Sequence, residues 1–131
     1  MDKTRILIVD DDASLARLVQ LMLEKTKLHS AKVENRPVHA LAATREFRPH
    51  LILLDVDMPG LDGGAVARQI RGDSELKGTP IIFFTSLLSQ SEAGQHCIMR
   101  GGERYLAKPV DGMVLIECIE DVLAGAVSAS A

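Results

Sequence analysis

The chain has 131 residues, a formal net charge of −3 at pH 7 and 47% hydrophobic residues. This length is that of one domain, and a negative charge without a cluster of Lys and Arg argues against direct binding of nucleic acid through its phosphates. No apolar run approaches the roughly 20 residues of a membrane helix, and the N-terminus lacks the pattern of a secretory signal. We therefore expect a cytoplasmic protein without a membrane segment.

The first part of the chain alternates strand patterns with helical ones. Residues 6–9 are apolar at every position, which predicts a strand covered on both faces. Apolar residues then recur at helical spacing over 15–23, and Asp12 stands where a helix N-cap is favoured. Residues 31–34 alternate apolar and polar side chains, which predicts an edge strand. A second helix is expected after Pro37.

The middle of the chain repeats this alternation with two strongly apolar runs. Residues 51–54 and 81–84 are apolar throughout, so both predict central strands of a parallel sheet. A third helix is expected after Gly63, between these two strands.

The last part completes the pattern. Residues 89–92 have the form of a capping box before a fourth helix through about Met99, which Gly101 and Gly102 would end. Residues 104–107 suit a second edge strand, and a fifth helix capped by Asp111 follows. Five βα units predict an α/β doubly wound domain over residues 1–125, with 126–131 as a disordered tail or linker stub.

The histidines and cysteines show no spacing typical of a metal site or disulfide framework. We expect surface or boundary positions for the histidines and reduced, helix-packing thiols for the cysteines. These residues are His29, His39, His50, His96, Cys97 and Cys118.

Polar side chains follow four of the predicted strands, at the point where each strand ends. They are Asp10-Asp11-Asp12, Asp55 with Asp57, Thr85-Ser86, and Lys108. An acidic triplet alone can be solvated surface, and a single Asp can be a turn cap. Carboxyl ends of parallel strands share one edge of the sheet, however, so these groups should meet in one crevice. Crowded carboxylates favour a bound cation, and Mg²⁺ suits hard oxygen ligands.

The order and separation of four motifs resemble those of response-regulator receiver domains, from about Arg5 to Leu123. The motifs are Ile8-Val9-Asp10-Asp11, Leu54-Asp55-Val56-Asp57-Met58-Pro59-Gly60, Phe84-Thr85-Ser86 and Tyr105-Leu106-Ala107-Lys108-Pro109.

The resemblance implies a role for each matching residue. Asp55 would be the phosphoacceptor, and Mg²⁺ would be bound by the carboxylates of Asp11 and Asp55, by Asp10 through water and by the backbone carbonyl of Asp57. The remaining three matches concern the phosphoryl group and its effect. Thr85 would hydrogen-bond that group, Lys108 would pair with it, and Tyr105 would be the aromatic switch that responds to Thr85.

The resemblance also implies a fold and a set of partners. The fold would be flavodoxin-like, (βα)5 with strand order 2-1-3-4-5. The phosphoryl donor would be a sensor histidine kinase or a phosphotransfer protein. Output would pass from the surface of the fourth helix, fifth strand and fifth helix to a downstream effector that the sequence does not identify. The chain would be a monomer or a weak phosphorylation-dependent dimer, either a stand-alone regulator or part of a longer protein.

Two variable positions beside the site would tune the lifetime of the phosphoryl group. They are Asp57, two residues after the acceptor, and Leu87, two residues after Thr85. A polar side chain at 87 could orient an attacking water and Leu cannot, so we expect slow self-catalysed dephosphorylation.

Two other functions compete with this interpretation. Asp55 and Asp57 after an apolar strand also resemble the nucleophile and acid/base pair of haloacid-dehalogenase-like phosphohydrolases, although in those enzymes the Asp-x-Asp strand comes first. Steady turnover of p-nitrophenyl phosphate that is lost in Asp57→Asn would favour that enzyme. The third alternative is a degenerate receiver that acts only as a protein-binding scaffold, and no residue favours it.

Overall fold

The computed structural model describes residues 3–58, 60–86, 98–108 and 111–130, with side chains as far as Gly125. Its strands are β1 (Thr4–Val9), β2 (His29–Glu34), β3 (Leu51–Asp55), β4 (Ile81–Thr85), β5 (Ile98–Arg100) and β6 (Glu103–Ala107). Its helices are α1 (Ala13–Lys25), α2 (Ala40–Phe47), which follows a 3₁₀ turn at Pro37–His39, α3 (Gly63–Arg71) and α4 (Gly112–Ser130).

The strands form one six-stranded sheet in the order β2-β1-β3-β4-β6-β5. Every pairing from β2 to β6 is parallel, with Ile6 beside Leu51 and Phe83 beside Tyr105. This confirms the predicted α/β doubly wound sheet and its order, because β6 and α4 take the places of the fifth predicted strand and helix.

Strand β5, which was not predicted, corrects the prediction of a helix through Met99. Ile98–Arg100 pairs antiparallel with Glu103–Ala107. Gly101 and Gly102 join them with φ of +61° and +82°, the conformation that a two-residue hairpin turn requires at both positions. The glycines therefore form a turn between strands and do not end a helix there. The rest of the predicted fourth helix, and Leu87, lie outside the described residues.

Each face of the sheet has its own hydrophobic core. Ile6 and Ile8 of β1 pack with side chains of α1 and α4, whereas Leu7 and Val9 of the same strand pack with α2 and α3. Because side chains alternate between the two faces of a strand, a strand covered on both faces must be apolar at every position. This explains the unbroken apolar runs in the sequence.

Aspartates begin the helices α1 and α4 at the crevice edge of the sheet. Asp12 accepts a hydrogen bond from the Leu15 amide at 3.0 Å, and Asp111 accepts one from the Met113 amide at 2.9 Å. Both caps were predicted. A side-chain oxygen in this position satisfies an amide that the helix itself cannot.

Other expectations about the end of the chain and its polar core need correction. α4 continues to Ser130, so most of the predicted tail is helical. Cys118 is buried on α4 as expected, but it is disulfide-bonded and not a reduced thiol. Sequence spacing does not report the separation of two Cα atoms, on which a disulfide depends. His29 is only 4% exposed and is not a surface residue, because β2 turns this side chain into the core.

Within the described part of the chain, no helix is long and apolar enough to cross a membrane.

Candidate functional site

Four strands bring the predicted site residues to one edge of the sheet. Asp10 directly follows β1, Asp55 ends β3, Thr85 ends β4, and Lys108 directly follows β6. Backbone hydrogen bonds hold these strand ends together: the Lys108 amide donates to the Thr85 carbonyl at 2.9 Å, and the Val56 amide donates to the Phe84 carbonyl at 3.0 Å. The crevice is therefore a direct product of the parallel register.

Three carboxylates form a cluster in this crevice. Asp10, Asp11 and Asp55 each offer an oxygen atom, and these oxygens all lie within 4.8 Å of one another. Asp10 and Asp55 are 1% and 2% exposed, whereas Asp11 is exposed. The cluster is thus open to solvent on one side, as a site for an exchangeable ion must be.

Lys108 supplies a positive charge to the two buried carboxylates. Its ammonium Nζ donates to Asp55 Oδ1 at 3.0 Å and lies 3.2 Å from Asp10 Oδ2. The same ammonium stands 5.6 Å from the centre of the Phe84 ring. Asp10 Oδ2 is buried and has no hydrogen-bond partner among the residues that the structure describes, so its contact with Lys108 is an ion pair.

The protonation equilibria of the pair reflect this environment. Burial raises the pKa of the Asp55 carboxyl, the hydrogen bond from Lys108 lowers it, and the charge of Asp10 raises it again, with a net increase. Burial alone would lower the pKa of Lys108, but the hydrogen bond to Asp55 and the charge of Asp10 raise it overall. The site therefore holds a charged ammonium beside carboxylates that repel one another.

The donor set fits a divalent cation with a preference for hard oxygen ligands. The clustered carboxylate oxygens of Asp10, Asp11 and Asp55 are groups that Mg²⁺ can coordinate directly or through its waters. A cation would also relieve the repulsion among the carboxylates. The Asp57 carboxylate is not part of this cluster.

Backbone amides two residues further on orient both buried carboxylates. The Asp12 amide donates to Asp10 Oδ1 at 2.9 Å, and the Asp57 amide donates to Asp55 Oδ1 at 3.2 Å. In each aspartate one oxygen is therefore held by the loop that follows the strand.

Asn35 is a residue of this site that the sequence analysis missed. Its side-chain Nδ2 donates to the Asp10 carbonyl oxygen at 2.8 Å, next to the backbone bond from the Asp10 amide to the Glu34 carbonyl. The signal that could have found it is its position directly after β2, the strand that pairs with β1.

The two predicted switch residues lie on neighbouring strands. Thr85 is 4% exposed at the carboxyl end of β4. Tyr105 is half-buried on β6 and stacks on Phe83, with ring centres 5.4 Å apart. It also lines a groove of about 240 Å³ between α3 and the sheet. Leu87, the second tuning position, is outside the described residues.

Comparison with known proteins agrees with this geometry. Residues 6–120 match the response regulator receiver domain family. The chain is 38% identical over 122 residues to Protein PilH of Pseudomonas aeruginosa, covering 92% of this chain and 98% of PilH. It is 37% identical over 107 residues to the DNA-binding response regulator MtrA of Mycobacterium tuberculosis, covering 82% of this chain but only 45% of MtrA.

Solved structures show the same likeness. A sensor protein from Polaromonas sp. JS666 superposes with a TM-score of 0.80 at 25% identity, covering 95% of this chain and 99% of that one. The chemotaxis protein CheY4 of Vibrio cholerae gives a TM-score of 0.78 at 25% identity, with 92% and 99% covered. The fold, the acidic crevice and these matches together show that the chain belongs to the response regulator receiver domains of two-component signalling.

Proposed function

We propose that the chain accepts a phosphoryl group on Asp55 in a Mg²⁺-dependent reaction and that this modification switches a surface for a partner protein. The observation that carries the proposal is the pairing of a buried Asp55 carboxylate with Lys108, 3.0 Å apart, within an acidic cluster that fits a divalent cation. This is the set of groups that phosphoryl transfer to a carboxylate needs.

The geometry suggests which oxygen of Asp55 reacts. The Lys108 ammonium and the Asp57 amide both bond to Oδ1, so we assign nucleophilic attack to Oδ2. In transfer from a phosphohistidine, the new Oδ2–P bond forms as the P–N bond breaks, and the imidazole leaves with the electron pair and takes up a proton. Asp10, Asp11 and Asp55, with the carbonyl of Asp57, would hold the ion. When bound, Mg²⁺ would neutralise charge on the phosphoryl oxygens.

Phosphorylation would change the balance of contacts around Lys108. The modified side chain gains oxygens with up to two negative charges, which compete for the ammonium now shared by Asp10 and Asp55. Thr85 stands at the end of the adjacent strand, where its hydroxyl can donate to the phosphoryl group. Movement of Thr85 toward the phosphoryl group would favour an inward position of the Tyr105 side chain on β6. The surface that includes β6 and α4 would then carry the signal.

The proposal extends to partners, boundaries and lifetime. A histidine kinase or phosphotransfer protein would supply the phosphoryl group, and a downstream effector would bind the switched surface. The receiver would span residues 1–125. Asp57 and Leu87 would tune the phosphoryl lifetime, with Leu87 favouring slow hydrolysis because it cannot orient a water. A lifetime no longer than that of Leu87→Gln would contradict this last point.

The direct test is the intact mass of the protein after incubation with acetyl phosphate or phosphoramidate. We expect one phosphoryl adduct that requires Mg²⁺ and disappears in Asp55→Asn. Asp57→Asn is the matched control, because it removes a neighbouring carboxylate but leaves the acceptor, and it should keep the adduct. An adduct that persists in Asp55→Asn would contradict the site assignment. No adduct from either donor would contradict the proposed reaction.

A further inference from the structure

The first residue of α3 lies directly against the backbone of the strand end that carries Asp55. Gly63 is buried, and its amide donates to the Val56 carbonyl at 3.1 Å. A Cβ atom built on Gly63 would lie 2.4 Å from the Asp55 carbonyl oxygen and 2.9 Å from Val56 Cα. Both separations are shorter than any that real Cβ atoms show, so only glycine fits here.

The backbone atoms of Asp55 and Val56 that contact Gly63 are held in place by hydrogen bonding to β4. Both contacted atoms belong to the backbone, so no side-chain rotation can relieve the overlap. The Val56 amide is bonded to the Phe84 carbonyl of β4 at 3.0 Å, and Asp55 is paired with Phe84 in the sheet. Any relief must therefore come from α3 moving outward or from a change in the turn at residues 56–58 and 60–62.

That turn is the one that orients the reactive carboxylate. It includes the Asp57 amide, which donates to Asp55 Oδ1 at 3.2 Å. It ends at Asp62, whose side chain caps α3 through the Ala65 amide at 2.8 Å. The close contact of Gly63 with the Asp55–Val56 peptide links the start of α3 to the direction of the Asp55 side chain.

We propose that Gly63 is a positioning residue for phosphorylation. Its missing side chain lets α3 dock on the Asp55–Val56 peptide and so places the Asp57 amide and carbonyl relative to the Asp55 carboxylate. The inference rests on the proposed phosphorylation of Asp55. It adds a residue that does not touch the phosphoryl group and acts through the backbone of the acceptor.

Gly64 provides a matched control one residue further along the same helix turn. A Cβ atom there would lie 3.2 Å from Asp62 Oδ1 and 3.6 Å from Arg68 Nη1, both of which are side-chain atoms that can shift. Gly63→Ala and Gly64→Ala make the same chemical change in the same turn of α3. A difference between them therefore isolates the contact with the Asp55–Val56 peptide.

The experiment compares initial phosphorylation rates with acetyl phosphate and Mg²⁺, after circular dichroism has shown that each variant is folded. We expect Gly63→Ala to lose at least about tenfold in rate and Gly64→Ala to stay within about twofold of the unmodified chain. The Asp57 amide resonance should shift in Gly63→Ala and not in Gly64→Ala, because only the first change alters the turn. A folded Gly63→Ala variant with an unchanged rate and an unchanged resonance would overturn the proposal, as would equal losses in both variants.

A second pair of variants decides the case if Gly63→Ala does not fold. Asp62→Ala removes the side-chain cap that fixes the start of α3 through the Ala65 amide, and Asp62→Asn keeps a capping oxygen there. A lost rate and a shifted Asp57 amide resonance in Asp62→Ala, both absent in Asp62→Asn, support the positioning route, and a rate kept in both variants overturns it. If the unmodified chain accepts no phosphoryl group, the proposed function fails, and the Asp57 resonance in the Gly63→Ala and Gly64→Ala variants alone judges the role of Gly63.

Discussion

Lys108 is the residue on which the charge balance of the crevice depends. One ammonium contacts two carboxylates that are almost completely buried, at 3.0 Å and 3.2 Å. Buried carboxylates without a cation are costly, because desolvation and mutual repulsion act in the same direction. The ammonium offsets part of this cost, and because it is shared, it can follow new negative charge without leaving the crevice.

Asn35 gives a residue-scale prediction, since its side chain fixes the peptide that links two aspartates of the proposed metal site. Asn35→Ala removes the 2.8 Å hydrogen bond to the Asp10 carbonyl. We expect a loss of about 1 kcal/mol in the free energy of unfolding and weaker Mg²⁺ binding. Urea denaturation and calorimetric Mg²⁺ titration measure the two effects. Arg36→Ala, at the exposed neighbouring position, is the control, and equal effects in both variants would contradict the role of Asn35.

At the scale of single elements, β2 contains a buried titratable group that is separate from the crevice. His29 is 4% exposed, and in the described part of the chain neither ring nitrogen has a hydrogen-bond partner. Burial lowers the pKa of His29 below its ordinary value of 6.5, and the nearby charge of Glu120 on α4 opposes this effect. The folded state therefore favours the neutral ring.

The sign of this effect gives a pH prediction. The contribution of a neutral His29 to the free energy of unfolding is fully present above pH 6.5. It is lost as the pH falls through the lower pKa of the folded state, because the unfolded chain then binds more protons than the folded one. His29→Leu should reduce the fall in unfolding free energy between pH 7.5 and 5. The control is His39→Gln, at an exposed position. An unchanged pH dependence in His29→Leu would show that other groups control acid stability.

The elements also show where sequence patterns suffice. Consecutive apolar residues identified β1, β3 and β4 because a strand covered on both faces has no polar position. Ile98–Arg100 was missed because three residues are too few to distinguish strand from helix, and the hairpin depends on pairing with β6. Asn35 was missed for a related reason: its contact joins it to Asp10, 25 residues away. Gly63 was missed because its close approach to the Asp55–Val56 peptide depends on how α3 docks on β3, which the sequence pattern does not report.

At the scale of the whole molecule, the buried charge of the crevice lowers the free energy of unfolding. Burial raises the pKa of Asp55, so its ionisation destabilises the fold as the pH rises through that raised value, and this cost is absent below the ordinary carboxyl pKa. Two hydrophobic cores, one on each face of the sheet, provide the stability that offsets the cost.

Asp55→Asn tests this balance through the stability of the entire domain. In metal-free buffer at pH 7 the variant should unfold with a free energy about 1 kcal/mol higher than the unmodified chain. The difference should shrink as the pH falls toward 4. Saturating Mg²⁺ should reverse the order, because ligand binding stabilises the chain that binds it. Thermal unfolding of both proteins across pH, with and without Mg²⁺, measures all three effects, and a pH-independent difference would contradict the assignment to Asp55.

The distribution of the crevice over four strands makes the ion pair between Lys108 and Asp55 a reporter of complete assembly. Its groups come from the ends of β1, β3, β4 and β6, and Lys108 is the last of them to be synthesised. A nascent chain that has not yet released β6 from the ribosome lacks the cation that pairs the carboxylates. The charge-paired crevice would therefore arise in a single step, late in synthesis, when the sheet closes around its final parallel strand.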